Sequence, residues 1–288
     1  MSIPIKKLKC GFKMPVFGMG TWIMGGDTER DPENDGQNDI ASLIAGLERG
    51  LTLIDTAEMY ANGFAEKIVG QATKGRNRES LFITSKVWPT HLSYDGVLKA
   101  CENSLKRLGT DYLDLYLIHK PNDEFPIEET MKALDKLSDE KVIRAIGVSN
   151  FTASRLKKAQ ACANHKIVLN QTHYNLSCRE PETELLTYCQ DNHIMLEAWR
   201  PLQKGAILDA ESPLLDEMCE KYSKTRSQIA LNWLISQPNV VTMSTMRSVK
   251  HIEENMGAVG WSMHADDINR LRHEFPGQIK ISDVVPLS

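Results

Sequence analysis

Short apolar, β-rich runs alternate with longer stretches of helical period along nearly the whole chain. Eight such runs are legible: VFGMGT from Val16, TLID from Thr52, LFITSKV from Leu81, YLDLYLIH from Tyr112, IRAIGVS from Ile143, IVLNQ from Ile167, IMLEAW from Ile194 and VVTMS from Val240. Most are continuous runs rather than strict alternations, the pattern of parallel strands covered on both faces. Between them lie helices with recognisable ends. Gln37 to Arg49 sets Ile40, Leu43, Ile44 and Leu47 on one face and stops at Gly50. Ser93 to Leu108 aligns Val97, Leu98, Cys101, Leu105 and Leu108 ahead of Gly109, and Pro126 reads as a first-turn proline for a helix running to about Leu137. Eight β-then-α units predict an α/β fold, a (β/α)8 TIM barrel in one domain over residues 1–288, with an open doubly wound sheet as the runner-up. Residues 3–15 predict a β-hairpin ahead of the barrel, closing its N-terminal end, and residues 24–36, MGGDTERDPENDG, a polar loop after the first strand.

Composition narrows the function classes. The hydrophobic share of 41%, with 18 glycines besides, sits in the globular range and excludes disorder or a collagen-like fibre. Lys and Arg number 34 against 38 Asp and Glu, so the net charge of −4 supplies no broad positive field for a phosphate backbone, and no nucleic-acid partner is expected. The six cysteines, Cys10, Cys101, Cys162, Cys178, Cys189 and Cys219, form no C-x-x-C, which fits a reducing cytoplasm. No H-E-x-x-H or Cys/His cluster occurs among the eight histidines, so no metal is expected. The lysine-interrupted N-terminus lacks the apolar core of an export signal, and no stretch reaches 18 apolar residues, so the chain is expected to be soluble with no membrane partner. Nothing in the sequence marks an oligomeric state.

In such a barrel the active groups come from the C-terminal ends of the strands and the loops after them. Asp55 ends the second run, Tyr60 follows in DTAEMYANG, Lys86 ends the third and His119 the fourth. Singly, each has a bland reading: a helix cap, a snorkelling lysine, a hydrogen-bonded core histidine. Together they form a set able to protonate a carbonyl oxygen. A free phenol has a pKa near 10, and a neighbouring ammonium lowers it, so Lys86 is expected to make Tyr60 a usable acid. Asp55 would keep Lys86 charged and aimed, and His119 would orient the carbonyl by a hydrogen bond. None of the four is a reductant, so a reduction at this site requires a nicotinamide cofactor.

The strings GMGTW from Gly18, DTAEMYANGFAEKIVGQA from Asp55, FITSKVWP from Phe82, DYLDLYLIHKPN from Asp111, IRAIGVSNF from Ile143, NQTHYN from Asn170 and the segment ending EEN at Asn255 resemble, in order, the aldo-keto reductase superfamily. The resemblance covers nearly the whole chain. It implies a (β/α)8 barrel that binds NADP(H) without a Rossmann domain, and G-x-G-x-x-G is indeed absent, since Gly18 and Gly20 are followed by Ile23. It also implies Tyr60 as proton donor, with Asp55, Lys86 and His119 completing a tetrad. By the same resemblance Gly20, Thr21, Trp22 and Asp55 border the cofactor. Ser149, Asn150 and Gln171 would bind its carboxamide, and Trp199 would stack on its ring. Leu202, Glu254 and Asn255 would also contact it.

The chain departs from the family pattern in two places, at Arg200 and at the pair Thr245 and His251. Arg200 stands where many relatives have Ser and is expected either to meet the cofactor pyrophosphate or to reach solvent. The usual clamp on the 2′-phosphate falls on Thr245 and His251, leaving Arg247 and the start of a helix near Ser248 to attract it. A reduced preference for NADPH over NADH is therefore expected, with NAD(H) usable. On the substrate side Trp22, Tyr60, Trp88 and His119, with Met59 and Asn122, are expected to line the mouth, the alternative being that the tryptophans only plug the barrel top. The short C-terminal PGQIKISDVVPLS predicts an open site for small or sugar-like aldehydes and ketones. Two competing functions are a Schiff-base aldolase using Lys86 and a cofactor-binding redox-sensor subunit with little turnover.

Overall fold

The computed structural model describes residues 3–288. Two short strands, β1 (Ile5–Lys7) and β2 (Lys13–Pro15), pair antiparallel. Eight parallel strands follow: β3 (Phe17–Gly20), β4 (Leu53–Asp55), β5 (Phe82–Val87), β6 (Leu115–Ile118), β7 (Ile146–Ser149), β8 (Ile167–His173), β9 (Met195–Trp199) and β10 (Val240–Ser244). They close in sequence order, with β10 pairing β3. The barrel, its eight predicted strands and the leading hairpin are thus all present, and closure excludes the open sheet.

Helices cover the outside: α1 (Gln37–Glu48), α2 (Phe64–Thr73), α3 (Tyr94–Leu108), α4 (Ile127–Asp139), α5 (Ala153–Ala161), α6 (Leu185–Asp191), α7 (Pro213–Tyr222), α8 (Arg226–Ile235), α9 (Val249–Met256) and α10 (Ala265–Glu274). Ser93 caps α3 by accepting from the Gly96 N–H, and Gly109 ends it in the left-handed conformation. Pro126 is the residue before α4 rather than its first turn, with ψ 125° still extended. The expected strand at Tyr112 starts three residues later. Asp114 spends its carboxylate on the Ile83 N–H and on Arg78 and Arg144, which leaves Leu113 a single bridge to Ile143.

Side chains on a strand alternate between faces, so each barrel strand sends every second residue inward. Ile54, Ile83, Tyr116, Ile118, Ile146 and Val148 face the helices in the larger cluster. Leu53, Leu115, Leu117, Leu169, Met195 and Val241 fill the barrel, where Leu8 and Met14 of the hairpin close the bottom. Lys6 ties the hairpin down by donating to the carbonyls of Ile235, Gln237 and Val240, at the C-terminal end of α8 and beyond, at 2.7, 2.5 and 2.6 Å. Moving up the barrel by two residues, the inward side chains turn polar: Leu53 gives way to Asp55, Leu117 to His119, Leu169 to Gln171 and Met195 to Glu197. That change of character makes the floor of the site.

Candidate active site

Register sets the first contacts. Asp55 pairs with Thr84, two residues below Lys86 on the neighbouring strand, so both side chains enter the barrel side by side. The Lys86 ammonium is fully buried and spends its three N–H donors on Asp55 Oδ1 at 2.6 Å, the Thr56 carbonyl at 3.0 Å and Tyr60 Oη at 3.0 Å. Thr21 holds the Asp55 carbonyl through both its N–H and its hydroxyl, each at 3.0 Å. The Tyr60 ring stands edge-on to His119, centroids 5.6 Å apart, and Trp22 and Trp88 stand edge-on to Tyr60 and His119 at 5.0 and 5.1 Å. The four residues expected to act together are together, ringed by the two tryptophans.

Tyr60 is delivered by an unusual turn. Ala61, Asn62 and Gly63 all adopt positive φ, at 49°, 52° and 79°, and the turn is stitched to the 24–36 loop by Ala61 N–H to Asp27 O and Asn62 N–H to Thr28 O at 2.6 and 2.9 Å. Consecutive left-handed residues store strain, and such strain collects where a side chain must be aimed. Gly63 has a second reason to be glycine: a Cβ there would lie 2.7 Å from the Arg107 side chain, which is held by Glu66 at 2.5 Å.

Electrostatics correct one expectation. Burial raises the Tyr60 pKa, and although Lys86 pulls it down, burial with help from Asp55 wins, so the phenol titrates above its ordinary value of 10.0. Tyr60 is therefore held as the protonated acid. Burial alone would lower Lys86, but the Asp55 carboxylate and the Tyr60 oxygen outweigh it and keep the amine an ammonium. A Schiff base needs the neutral amine, so this environment opposes the aldolase reading. Burial, then Lys86 and Lys120, hold His119 well below 6.5, so the ring is neutral, and its Nδ1 has no partner among the described residues.

Sequence reasoning missed one residue. Glu197 is fully buried in the barrel, and Gln171 Nε2 donates to both Asp55 Oδ2 and Glu197 Oε2 at 2.8 Å. Period two along IMLEAW was the available signal: Glu197 lies two residues above inward Met195 and two below Trp199. No group of three or more His, Cys, Asp or Glu among the described residues is placed to hold a metal, and no helix there is long and apolar enough to cross a membrane.

The Aldo/keto reductase family model matches residues 16–273. Methylglyoxal reductase YeaE of Escherichia coli is 36% identical over 91% of this chain and 92% of its own length. Glyoxal reductase of Bacillus subtilis is 38% identical, covering 92% and 90%. Among solved structures, a thermostable aldo-keto reductase complexed with the inhibitor epalrestat superposes with a TM-score of 0.89 at 40% identity, covering 94% and 99%. The chain belongs to the aldo/keto reductase family. As such it is an NAD(P)H-dependent oxidoreductase of carbonyl groups. An aldo-keto reductase of Klebsiella pneumoniae solved with NADPH matches with a TM-score of 0.84 at 35% identity, covering 97% and 98%.

The remaining candidate residues of this aldo/keto reductase divide into those at the rim and those engaged elsewhere. Ser149 and Asn150 are buried at the end of β7. Asn150, at φ 63°, donates to the His119 carbonyl and to Ser149 Oγ, and accepts from Trp199 Nε1 at 3.2 Å. Trp199 is half-buried, with the His173 ring stacked on it at 4.5 Å and 14°. Gly20 lies beside Thr245 at the end of β10. Leu202 packs against the outer core. Arg200 neither floats in solvent nor stands alone: it faces Asp283 of the C-terminal segment at 3.8 Å. Arg247 donates through Nε to buried Asp39 at 2.7 Å, in front of α9, whose first turn is capped by Ser248. Glu254 accepts from Ser227 at 2.6 Å and from Thr225, so its carboxylate is committed to the start of α8, and Asn255 is buried with Nδ2 3.4 Å from Ser244.

One substrate-side expectation needs correction. The Asn122 side chain is spent on the Pro89 carbonyl in the loop after β5 and on the N–H and carboxylate of Glu124, so its amide N–H donors are not left for a substrate. The short C-terminal segment packs beside the ends of β7 and β8. Ser282 hydrogen-bonds His173 at 2.7 Å, and the backbone of Ser288 pairs with Asn150 and Thr152.

Proposed function

We propose that this chain, working as one domain, reduces small aldehydes and ketones to alcohols with NADPH, the proton coming from Tyr60. The observation that carries the reading is the Asp55–Lys86–Tyr60 chain of contacts at 2.6 and 3.0 Å beside neutral His119. When bound, NADPH supplies a hydride to the carbonyl carbon. As the new C–H bond forms, Tyr60 gives its phenolic proton to the carbonyl oxygen, and the resulting phenolate faces the Lys86 ammonium until solvent reprotonates it. His119 fixes the carbonyl by a hydrogen bond that a neutral ring can donate. Asp55 keeps Lys86 charged.

The residues present suit the cofactor. Trp199 offers a half-buried flat ring beside Ser149, Asn150 and Gln171, whose hydroxyl and amides match a carboxamide. In this reading Gly20, Thr21, Trp22 and Leu202 would border the cofactor, with Glu254 and Asn255 behind them near Ser244 and α8. In the same reading Arg200 would meet the pyrophosphate and Arg247 the 2′-phosphate. Because Arg247 is shared with Asp39 and the neighbouring positions are Thr245 and His251, NADH is also used. Trp22, Tyr60, Trp88 and His119 make a small aromatic mouth, which fits compact carbonyls such as the two-carbon and three-carbon dicarbonyls for which two relatives are named, or short sugars. The six cysteines, all free among the described residues, fit a reducing cytoplasm.

The test is loss of reduced-nicotinamide absorbance with NADPH, then NADH, against aldehydes, ketones and sugars. Tyr60→Phe is expected to lower kcat by about 10²–10⁴ while cofactor binding persists. Undiminished turnover in that variant removes Tyr60 from the mechanism.

A further inference from the structure

In the same layer as Asp55 and His119 lies a buried acid that the reaction as written does not use. Glu197 enters from β9, fully buried, and its Oε1 has no partner among the described residues. Among the described residues its carboxyl has one hydrogen bond, from Gln171 Nε2, and that same nitrogen serves Asp55 at the same 2.8 Å. A primary amide nitrogen carries two hydrogens, so both are committed, one to each carboxyl group. This fixes the amide: Nε2 is turned to the two acids, and Oε1 is left as its free acceptor.

Two carboxyl groups on one amide are a tight electrostatic arrangement. The groups facing them are Asp55 from β4, Lys86 from β5, Tyr60 from the turn after β4 and Gln171 from β8, while β10 contributes only uncharged Val241, Thr242 and Met243. Lys86 is the single cation, and it is already paired with Asp55. A second buried anion there would have no cation of its own and would oppose the other negative charges beside it, including a phenolate on Tyr60.

We propose that Glu197 is a positioning residue for carbonyl reduction: wired to Asp55 through Gln171, it holds its proton during turnover and so keeps Tyr60 a competent acid. This rests on the functional reading above. Burial and the charge of Asp55 push the Glu197 carboxyl up to about 8, against weaker pulls from Gln171 and Lys86. An ionised Glu197 in turn raises the Tyr60 phenol. A phenol with a higher pKa gives up its proton less readily, so reduction slows as Glu197 ionises.

The experiment combines two readouts on the full chain. Difference infrared spectroscopy between pH 6 and pH 9.5 is expected to show a protonated carboxylic acid band in wild type that is lost on raising the pH and is missing from Glu197→Gln. In parallel, kcat for NADPH-dependent reduction is expected to fall in wild type through a limb centred near pH 8, where the Glu197 carboxyl ionises, to lose that limb in Glu197→Gln, and to regain a titrating limb in Glu197→Asp. Thermal melts confirm that the variants are folded. An identical limb in Glu197→Gln, or no carboxylic acid band at pH 6, overturns the proposal. Wild type inactive on every carbonyl overturns the functional reading instead, and the infrared band then still decides the charge state on which the wiring depends.

Discussion

At the scale of single residues, burial and pairing pull against each other, and the outcome differs at each group. Tyr60 and Lys86 are both buried, yet the lysine stays charged because an acid touches it, whereas the phenol stays neutral because one ammonium does not offset its desolvation. Lys86→Met should therefore push the phenol higher still, moving the base limb of alcohol oxidation to higher pH; an unmoved limb would contradict the role of Lys86. Neutral His119 predicts that kcat/KM for reduction shows no ionisation near 6.5, and a limb there that disappears in His119→Asn would contradict the arrangement. Glu197 bears on stability as well. Its folded pKa lies above the ordinary 4.5, so the unfolded chain releases a proton that the folded chain keeps, and stability is lost as pH rises from 4.5 toward about 8. The slope is at most about 1.4 kcal/mol per pH unit. Urea denaturation should show Glu197→Gln gaining on wild type across that window, and a difference independent of pH would speak against it.

At the scale of elements, the eight strands were readable because each is a compact apolar run bounded by turn residues, while their edges depended on side-chain commitments. Asp114 inside YLDLYLIH is the example: its carboxylate binds backbone and two arginines, and the regular strand starts only at Leu115. The hairpin was readable as a hairpin, but its hold on the barrel is a packing result. Met14 is almost fully buried against the barrel floor, and Met14→Ala should cost about 2–5 kcal/mol in denaturant titration. Gly18 makes a similar point inside β3. A Cβ there would lie 2.4 Å from Leu53 Cγ, so Gly18→Ala should destabilise by about 1–3 kcal/mol. A neutral result at either position would mean that the barrel floor repacks.

At the scale of the whole molecule, the cofactor reading joins segments far apart in sequence: the ends of β3, β7, β8 and β9, the start of α9, and the C-terminal segment that folds back onto Asn150 and His173. NADPH at a hundred times its dissociation constant should stabilise the fold by about 2.7 kcal/mol, seen as a thermal shift. In Arg247→Ala the shift should shrink for NADPH more than for NADH; an equal loss would place Arg247 away from the 2′-phosphate. Order along the chain was a property of the sequence itself. Hydrophobic period, turn residues and a succession of motifs were enough for the barrel, the hairpin and the grouping of Asp55, Tyr60, Lys86 and His119. Which groups share a hydrogen bond was decided only by tertiary structure. Closure and register bring Gln171, Asp55 and Glu197 within 2.8 Å across a gap of 116 and 26 residues, and set Asp283 against Arg200. Burial then fixes their charge, because desolvation depends on what surrounds a side chain in space and not on its neighbours in the chain.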